Sequence, residues 1–305
     1  MRLASVSVDL DEIHHYYEIH GLTPSGGAGT LVYDAAIDRL RGLAEEGRFP
    51  LTLFAIGADL AREASADRLR AAAEDGHEIA NHSLDHRYDL VRLGRDEIRR
   101  QISGGAAAIE KACGRKPLGF RAPGYTITDE VFGVLEELGV TYDASVFPCP
   151  AYWSAKAAAI GLISLRGRKS RSIVDTPNVL RAPTRPYRSG RPYWKRGDGV
   201  LEIPVQVTRG LRLPFIGTSV TLAGPERARW LAKMCVGEPL VNLELHGIDV
   251  LDADDGLDAL RPHQPDVRVP HARKVAAILA ACDELQKAGY TFVTMREAAA
   301  TFGAS

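Results

Sequence analysis

At 305 residues, with 45% apolar and 25% charged side chains, the chain has the make-up of an ordinary globular protein and length enough for a large core. A net charge of −1 gives no global attraction to nucleic acid or to an anionic membrane. The four cysteines (Cys113, Cys149, Cys235, Cys282) form no Cys-x-x-Cys pair and read as scattered thiols of a reducing compartment.

No apolar run is long enough to span a bilayer, and Met1–Val6 leads directly into a strand pattern, so a cytoplasmic enzyme is expected. In that first strand Ala4, Val6, Val8 and Leu10 alternate with Ser5, Ser7, Asp9 and Asp11. Two carboxylates at the end of a strand suit chemistry better than packing, although Asp11 alone could start a turn. The glycine-rich run Ser25–Gly29 fits no phosphate-binding fingerprint and reads as a flexible connection. A helix is expected over Leu31–Glu46, and the apolar LTLFAI run, Leu51–Ile56, reads as a strand covered on both faces. Helical segments follow over Asp59–Glu74, with a break near Ser65–Asp67, then a strand over Glu78–Asn81. Asp96–Ala112 is a long helix and Leu118–Arg121 a strand, while Thr128 caps a helix that stops at Gly139. Val140–Asp143 is again strand-like. This alternation implies a parallel sheet, and chemically loaded residues at successive strand ends favour a barrel over a doubly wound sheet.

His82 and His86 follow the Glu78–Asn81 strand. Four residues apart, they would share one face of a helical turn, a spacing at which two imidazoles can grip one divalent ion. Such a pair suits zinc, iron or cobalt better than magnesium or calcium; a third ligand must come from elsewhere. A pair of surface histidines beside a solvated turn is the plain alternative.

From Arg166 to Arg196 there are ten basic residues and one acid, Asp175, among prolines and aromatics. This segment, inside an inserted loop at about 150–199, reads either as a solvated loop or as a lid that meets an anionic substrate. No recognition module accompanies it, so nucleic acid is not the expected partner. Strand-like stretches return at Val200–Val207, Gly217–Leu222 and Leu240–Leu245, with a helix over Pro225–Val236. Asp252–Asp255 is an acidic loop without a full calcium-ligand pattern. A closing helix, Pro270–Ala288, a last strand, Tyr290–Val293, and a helix capped by Thr294 complete a single domain, 1–305. The sequence leaves oligomeric state open, a homo-oligomer included.

Five short stretches occur in order: Ser7-Val8-Asp9-Leu10-Asp11, His82-Ser83-Leu84-Asp85-His86, Arg121-Ala122-Pro123-Gly124-Tyr125, Tyr142–Pro148 and Leu243-Glu244-Leu245-His246. Together they resemble the motifs of the polysaccharide deacetylase family, the NodB-type fold of carbohydrate esterase family 4. The resemblance implies an α/β fold, a distorted (β/α) barrel with about seven parallel strands, and hydrolysis of an N-acyl amide on an amino sugar. It implies one divalent ion, zinc by preference with cobalt, iron or nickel as alternatives, held by His82, His86 and a first-motif carboxylate. Asp11 is assigned as that ligand and Asp9 as the base, in the manner of divergent members with an Asp-x-Asp pattern; on spacing alone the two could exchange. Arg121 would pair with Asp9, and the backbone N–H of Gly124 or Tyr125 would stabilise an oxyanion. His246 would be the general acid, oriented by Asp143 or, second, by Asp249. Phe147 and Pro148 would wall the groove. His14, His15, His20, His263 and His271 carry no assigned role, though His14 and His15 are near enough in sequence to Asp11 to reach the pocket.

The expected substrate is an N-acylated amino sugar in a cytoplasmic intermediate, nucleotide- or lipid-linked and so phosphate-bearing, without membrane insertion of the protein. Two other readings stay beside it. One is a lipid-linked sugar deformylase or an allantoinase-like cyclic amide hydrolase. The other is a sugar- or anion-binding protein that has lost catalysis.

Overall fold

The structure is a computed structural model that describes residues 2–23 and 28–303. Ser25, Gly26 and Gly27 of the glycine-rich connection lie outside the described residues. The strands are β1 (Leu3–Asp9), β2 (Leu51–Ala55), β3 (Glu78–Asn81), β4 (Gly119–Phe120), β5 (Tyr142–Asp143), β6 (Tyr187–Ser189), β7 (Arg196–Glu202), β8 (Leu240–His246) and β9 (Thr291–Phe292). The helices are α1 (Ile13–Ile19), α2 (Ile37–Gly47), α3 (Glu63–Glu74), α4 (Arg95–Cys113), α5 (Asp129–Glu137), α6 (Pro150–Leu165), α7 (Gly217–Ala223), α8 (Pro225–Cys235), α9 (His271–Lys287) and α10 (Met295–Gly303).

The strands form one sheet in the order β6-β7-β5-β4-β3-β2-β1-β8, with β9 paired to the start of β1. Every pairing is parallel except β6 with β7. The sheet curls into a half-barrel. Beyond β7 the chain stays extended, with Ile203 and Val205 donating to the Asp143 and Val146 carbonyls. Only isolated bridges, Val207 to Pro214 and Ile216 to Glu244, then lead across to β8.

Alternation along the strands divides the core. Val6, Val8, Leu53, Leu243 and Leu245 pack outward against helices, among them α2, α8 and α9. Phe54, Ala80, Tyr142, Leu201 and Leu240 cluster on the other side of the sheet with Met295 and Ala298 of α10. The second set of β1 residues is polar yet buried: Ser5 donates to Asn242, and Ser7 and Asp9 both meet Arg121. A strand with two buried faces, one of them polar, leads into the site.

Four expected elements differ. Gly217–Leu222 is helical as α7, because Ser219 and Thr221 return hydrogen bonds to the Ile216 and Gly217 carbonyls and the turn packs on α8 and α9. The break before α3 falls at Arg62, whose extended backbone separates a 3-10 turn (Gly57–Ala61) from the helix. The inserted segment opens with a helix rather than a loop: Pro150 sits in the first turn of α6 and Cys149 Sγ accepts from the Tyr152 amide. None of the residues of α6 is buried, despite its apolar sequence. Finally, His82 and His86 do not share a helical turn. After β3 the chain folds into an irregular loop with positive φ at Ser83 (70°) and His86 (49°).

Candidate active site

That loop is built locally. Asn81 Oδ1 accepts from the Ser83 amide (3.0 Å) and its Nδ2 donates to the Ile102 carbonyl of α4 (2.9 Å). Ser83 Oγ in turn accepts from the His86 amide (3.1 Å). The loop lies directly on α4 at Gly105, where a Cβ would stand 2.4 Å from Asn81 Oδ1. The result turns both imidazoles toward the end of β1.

Register supplies the rest. Asp9 is paired with Phe54 of β2 and with His246 of β8, so the strand ends bring Asp9, His82 and His246 together. Leu10 continues extended by donating to the Phe54 carbonyl, which returns Asp11 to the side of Asp9. Asp11 Oδ1 lies 3.3 Å from His82 Nε2 and 3.2 Å from His86 Nε2. His82 Nδ1–H donates to the Arg121 carbonyl (2.7 Å), which turns its Nε2 toward Asp11. Asp11 Oδ1 and both Nε2 atoms are buried and, among the described residues, have no hydrogen-bond partner of good geometry.

Three orphaned donor atoms of the right types, within 4.8 Å of one another, fit a divalent ion. A second group, Asp9, Glu244 and His246, meets the same distance condition. There, however, Asp9 is already matched by Arg121 and Glu244 by His246, so the cation's place is taken.

Electrostatics follow the geometry. Burial pushes Asp11 up, but the His86 and His82 imidazoles outweigh it and hold the carboxyl well below its usual range. Burial pulls His86 down to about 4, leaving it neutral and fit to donate a lone pair. Burial also lowers His82, but the Asp9 and Asp11 carboxylates carry it above the ordinary value; a bound cation would compete with that proton.

Arg121 is wholly buried. Its Nη1 donates to Asp9 Oδ1 (2.6 Å), Nη2 to Ser7 Oγ (2.8 Å) and Nε to the Ala144 carbonyl (2.9 Å), and its guanidinium lies 4.0 Å from the centre of the Phe54 ring. Asp143 belongs to this support and not to His246. It accepts from the Ser145 amide and hydroxyl, and Ser145 Oγ accepts from the Ala122 amide beside Arg121. Burial and the charge of Asp143 push Glu202 well above the carboxylate range, so the pair shares one proton.

His246 has a different carboxylate partner from either of those expected. Its Nδ1 lies 3.0 Å from Oε1 of Glu244, whose side chain is fully buried. Asp249 accepts the His246 backbone amide (2.8 Å). Burial lowers His246, but Glu244, Asp11 and Asp9 raise it well above its ordinary value. Glu244 was legible in principle: it stands two residues before His246, on the same face of an otherwise apolar strand. Tyr125 Oη lies 3.4 Å from His246 Nε2 on the other side. Gly124 and Tyr125 form a left-handed pair with φ of 66° and 56°. The Tyr125 amide donates to the Ala122 carbonyl (3.2 Å), and Lys156 of α6 donates to the Gly124 carbonyl (2.7 Å).

Phe147 and Pro148 are buried, and Phe147 packs behind Tyr125, so neither walls a groove. His15, given no role by sequence, packs on His86 with ring centres 4.2 Å apart, and Tyr88 meets His86 edge-on at 4.8 Å. His20 contacts Gln264 and His263, away from the cluster. The acidic loop is structural: Asp255 pairs with Arg39, and Asp252 accepts from the amide of His271 at the start of α9.

The polysaccharide deacetylase family profile matches residues 32–142. No curated protein matches the chain. Among solved structures, a Mycobacterium smegmatis protein assigned to the polysaccharide deacetylases is similar at 19% identity and a TM-score of 0.61, over 99% of this chain and 91% of that one. The family 4 carbohydrate esterase domain of a multidomain xylanase, from the hindgut metagenome of Trinervitermes trinervoides, shares 14% identity over 97% and 88% of the two chains, with a TM-score of 0.50. A family 4 pseudoenzyme from Bacillus anthracis shares 11% identity over 97% of this chain and 64% of its own, with a TM-score of 0.52. These likenesses are of fold. Residues 32–142 thus carry the polysaccharide deacetylase profile, and the chain as a whole shares its fold with solved structures of that family.

Proposed function

We propose that the chain is a metal-dependent hydrolase that removes an N-acyl group, N-acetyl by preference, from an amino sugar carried in a nucleotide- or lipid-linked biosynthetic intermediate. The observation that carries this reading is the convergence of the orphaned Asp11, His82 and His86 donors beside an Arg121-paired Asp9 and a Glu244-backed His246. Asp11, His82 and His86 would hold the ion, which supplies Lewis acidity to the acyl carbonyl and acidifies a water. Asp9, held by Arg121, would be the base that takes a proton from the attacking water. His246, held protonated by Glu244, is placed to give a proton to the departing nitrogen. Because the Tyr125 amide is occupied by Ala122, the oxyanion donor of the pair is Gly124, with the Tyr125 hydroxyl nearby.

Metal content by mass spectrometry, on wild type and on His82→Ala/His86→Ala, tests the centre: about one ion per chain, lost in the variant, is the expected result. Acetate release from nucleotide- and lipid-linked N-acetyl sugars then tests the reaction. A wild type that takes up no zinc, cobalt, iron or nickel overturns the metallohydrolase reading. Hydrolysis of a cyclic amide by metal-free protein would replace it with the allantoinase-like one.

A further inference from the structure

The basic segment does not act as one patch. Arg185 pairs with Glu238 (2.6 Å), Arg188 donates to the Gly199 and Gly303 carbonyls, and Arg191 pairs with Glu136 (3.2 Å). These residues hold the insertion to the barrel. The start of the segment is different. Arg171 donates its amide to the Glu18 carbonyl, and Gly21, with φ of 63°, lies against the Lys169 carbonyl. That fixes residues 169–171 at the end of α1, along one wall of a cavity of about 690 Å³. The loop after His86, with Arg87 and Arg92, lines the same cavity, as does His86 itself. One of the proposed metal ligands is therefore shared with this cavity.

The charges in the cavity do not cancel locally. It is lined by four cationic side chains and three carboxylates. Each carboxylate is taken: Glu18 by Arg171 (3.0 Å), Asp89 by Arg87 (2.9 Å) and Asp85 by Arg100 from outside the cavity (3.1 Å). Among the described residues, neither Arg92 nor Lys169 meets a carboxylate within ion-pair distance. Two cations with no carboxylate partner among the described residues thus line one cavity large enough for a phosphate-bearing group, together with an imidazole of the proposed reaction centre.

We infer that this cavity is the subsite for the phosphate or diphosphate of the substrate, with Arg92 and Lys169 as the residues that recognise it. The inference rests on the deacetylase reading of the adjoining centre, and it adds where the carrier group lies and which side chains select it. Nucleotide-linked and lipid-linked sugars share this chemistry, and the cavity reads only what they share.

The test compares N-acetylglucosamine 1-phosphate with N-acetylglucosamine by calorimetry on the metal-loaded protein, for wild type and for Arg92→Gln/Lys169→Gln. Both side chains are exposed, so the variant keeps its fold. The expected result is about tenfold or tighter binding of the phosphate form, the effect of one charge-assisted contact. That advantage vanishes in the variant and weakens with salt, while neutral-sugar binding stays put. Equal binding of the two sugars, or an advantage that survives in the variant, overturns the subsite. Failure of the function reading looks different: phosphate selectivity present, with no acetate released from any sugar. In the activity arm, a uridine-diphosphate sugar and a polyprenyl-diphosphate sugar separate the two sources. A neutral chitooligosaccharide turned over as efficiently as either overturns the subsite but leaves the deacetylase reading standing.

Discussion

Replacing Arg121 with methionine removes a cation from a place water does not reach. The Arg121 side chain has no exposure and that of Asp9 only 2%, so the variant leaves the Asp9 carboxylate buried without its main partner. Breaking a buried pair from one side costs roughly 3–5 kcal/mol. Ser7 Oγ and the Ala144 carbonyl also lose their donors, adding about 1 kcal/mol or more. The expected loss is about 4–6 kcal/mol, a large part of the ~5–15 kcal/mol that holds a typical domain together. A double variant, Asp9→Leu/Arg121→Met, removes both charges and recovers at least ~2 kcal/mol of it, because an apolar pair needs no compensation. Urea unfolding followed by circular dichroism, in EDTA so that no ion contributes, measures both values. A single variant within ~1 kcal/mol of wild type, or a double variant no more stable than the single, refutes the reasoning.

Three further outcomes follow from the site. If His246 is the acid, activity is present below its pKa and falls as pH rises through it; Glu244→Gln removes the carboxylate that raises this value, so the alkaline limb of the pH profile moves to lower pH. An unmoved limb separates Glu244 from His246. In Asp175, burial pushes the carboxyl up to about 6 from 3.8, despite hydrogen bonds from Thr176 and Tyr193. The native state therefore binds the extra proton between those values, and wild-type stability falls as pH rises across that window. Asp175→Asn lacks this slope and gains on wild type from pH 4 to pH 7; a gap constant with pH counts against the assignment. Gly124→Ala places a Cβ 3.0 Å from the Tyr88 ring at φ of 66°, costing about 1–2 kcal/mol of stability. Its larger expected effect is a drop in kcat, since the turn carries both the Gly124 amide and Tyr125. An unchanged kcat at lowered Tm would remove this turn from the reaction.

What could be read from the sequence was what local periodicity encodes. The alternation of β1, the apolar run of β2 and the Thr128 cap of α5 each appear where their residues placed them. Residues on successive strand ends were likewise expected to converge, and Asp9, Asp11, His82, His86, Arg121 and His246 do. The carboxylate beside His246 is legible only in part: the i, i+2 spacing puts Glu244 on its face of the strand, but ruling out Asp143 requires knowing that β5 lies five strands from β8. The His82–His86 geometry was right in outcome and wrong in cause: a loop pinned by Asn81, not a helical turn, brings the rings together. In α7, β-branched residues suggested a strand, but side-chain hydrogen bonds to the backbone and packing on two helices decided for a helix.

The pairing of β1 with β8 has a consequence for how the protein is made. Ser5 and Asn242, cross-strand partners, are 237 residues apart in the chain. At a synthesis rate of about 5–20 residues per second, β1 leaves the ribosome roughly 12–50 seconds before its partner. Through that interval β2 can cover one edge of β1, while the other exposes an unpaired row of backbone donors and acceptors along Leu3–Asp9. The nascent chain is thus most prone to associate with its neighbours until residues 240–246 emerge, and slower initiation or lower temperature during expression should raise the yield of folded protein.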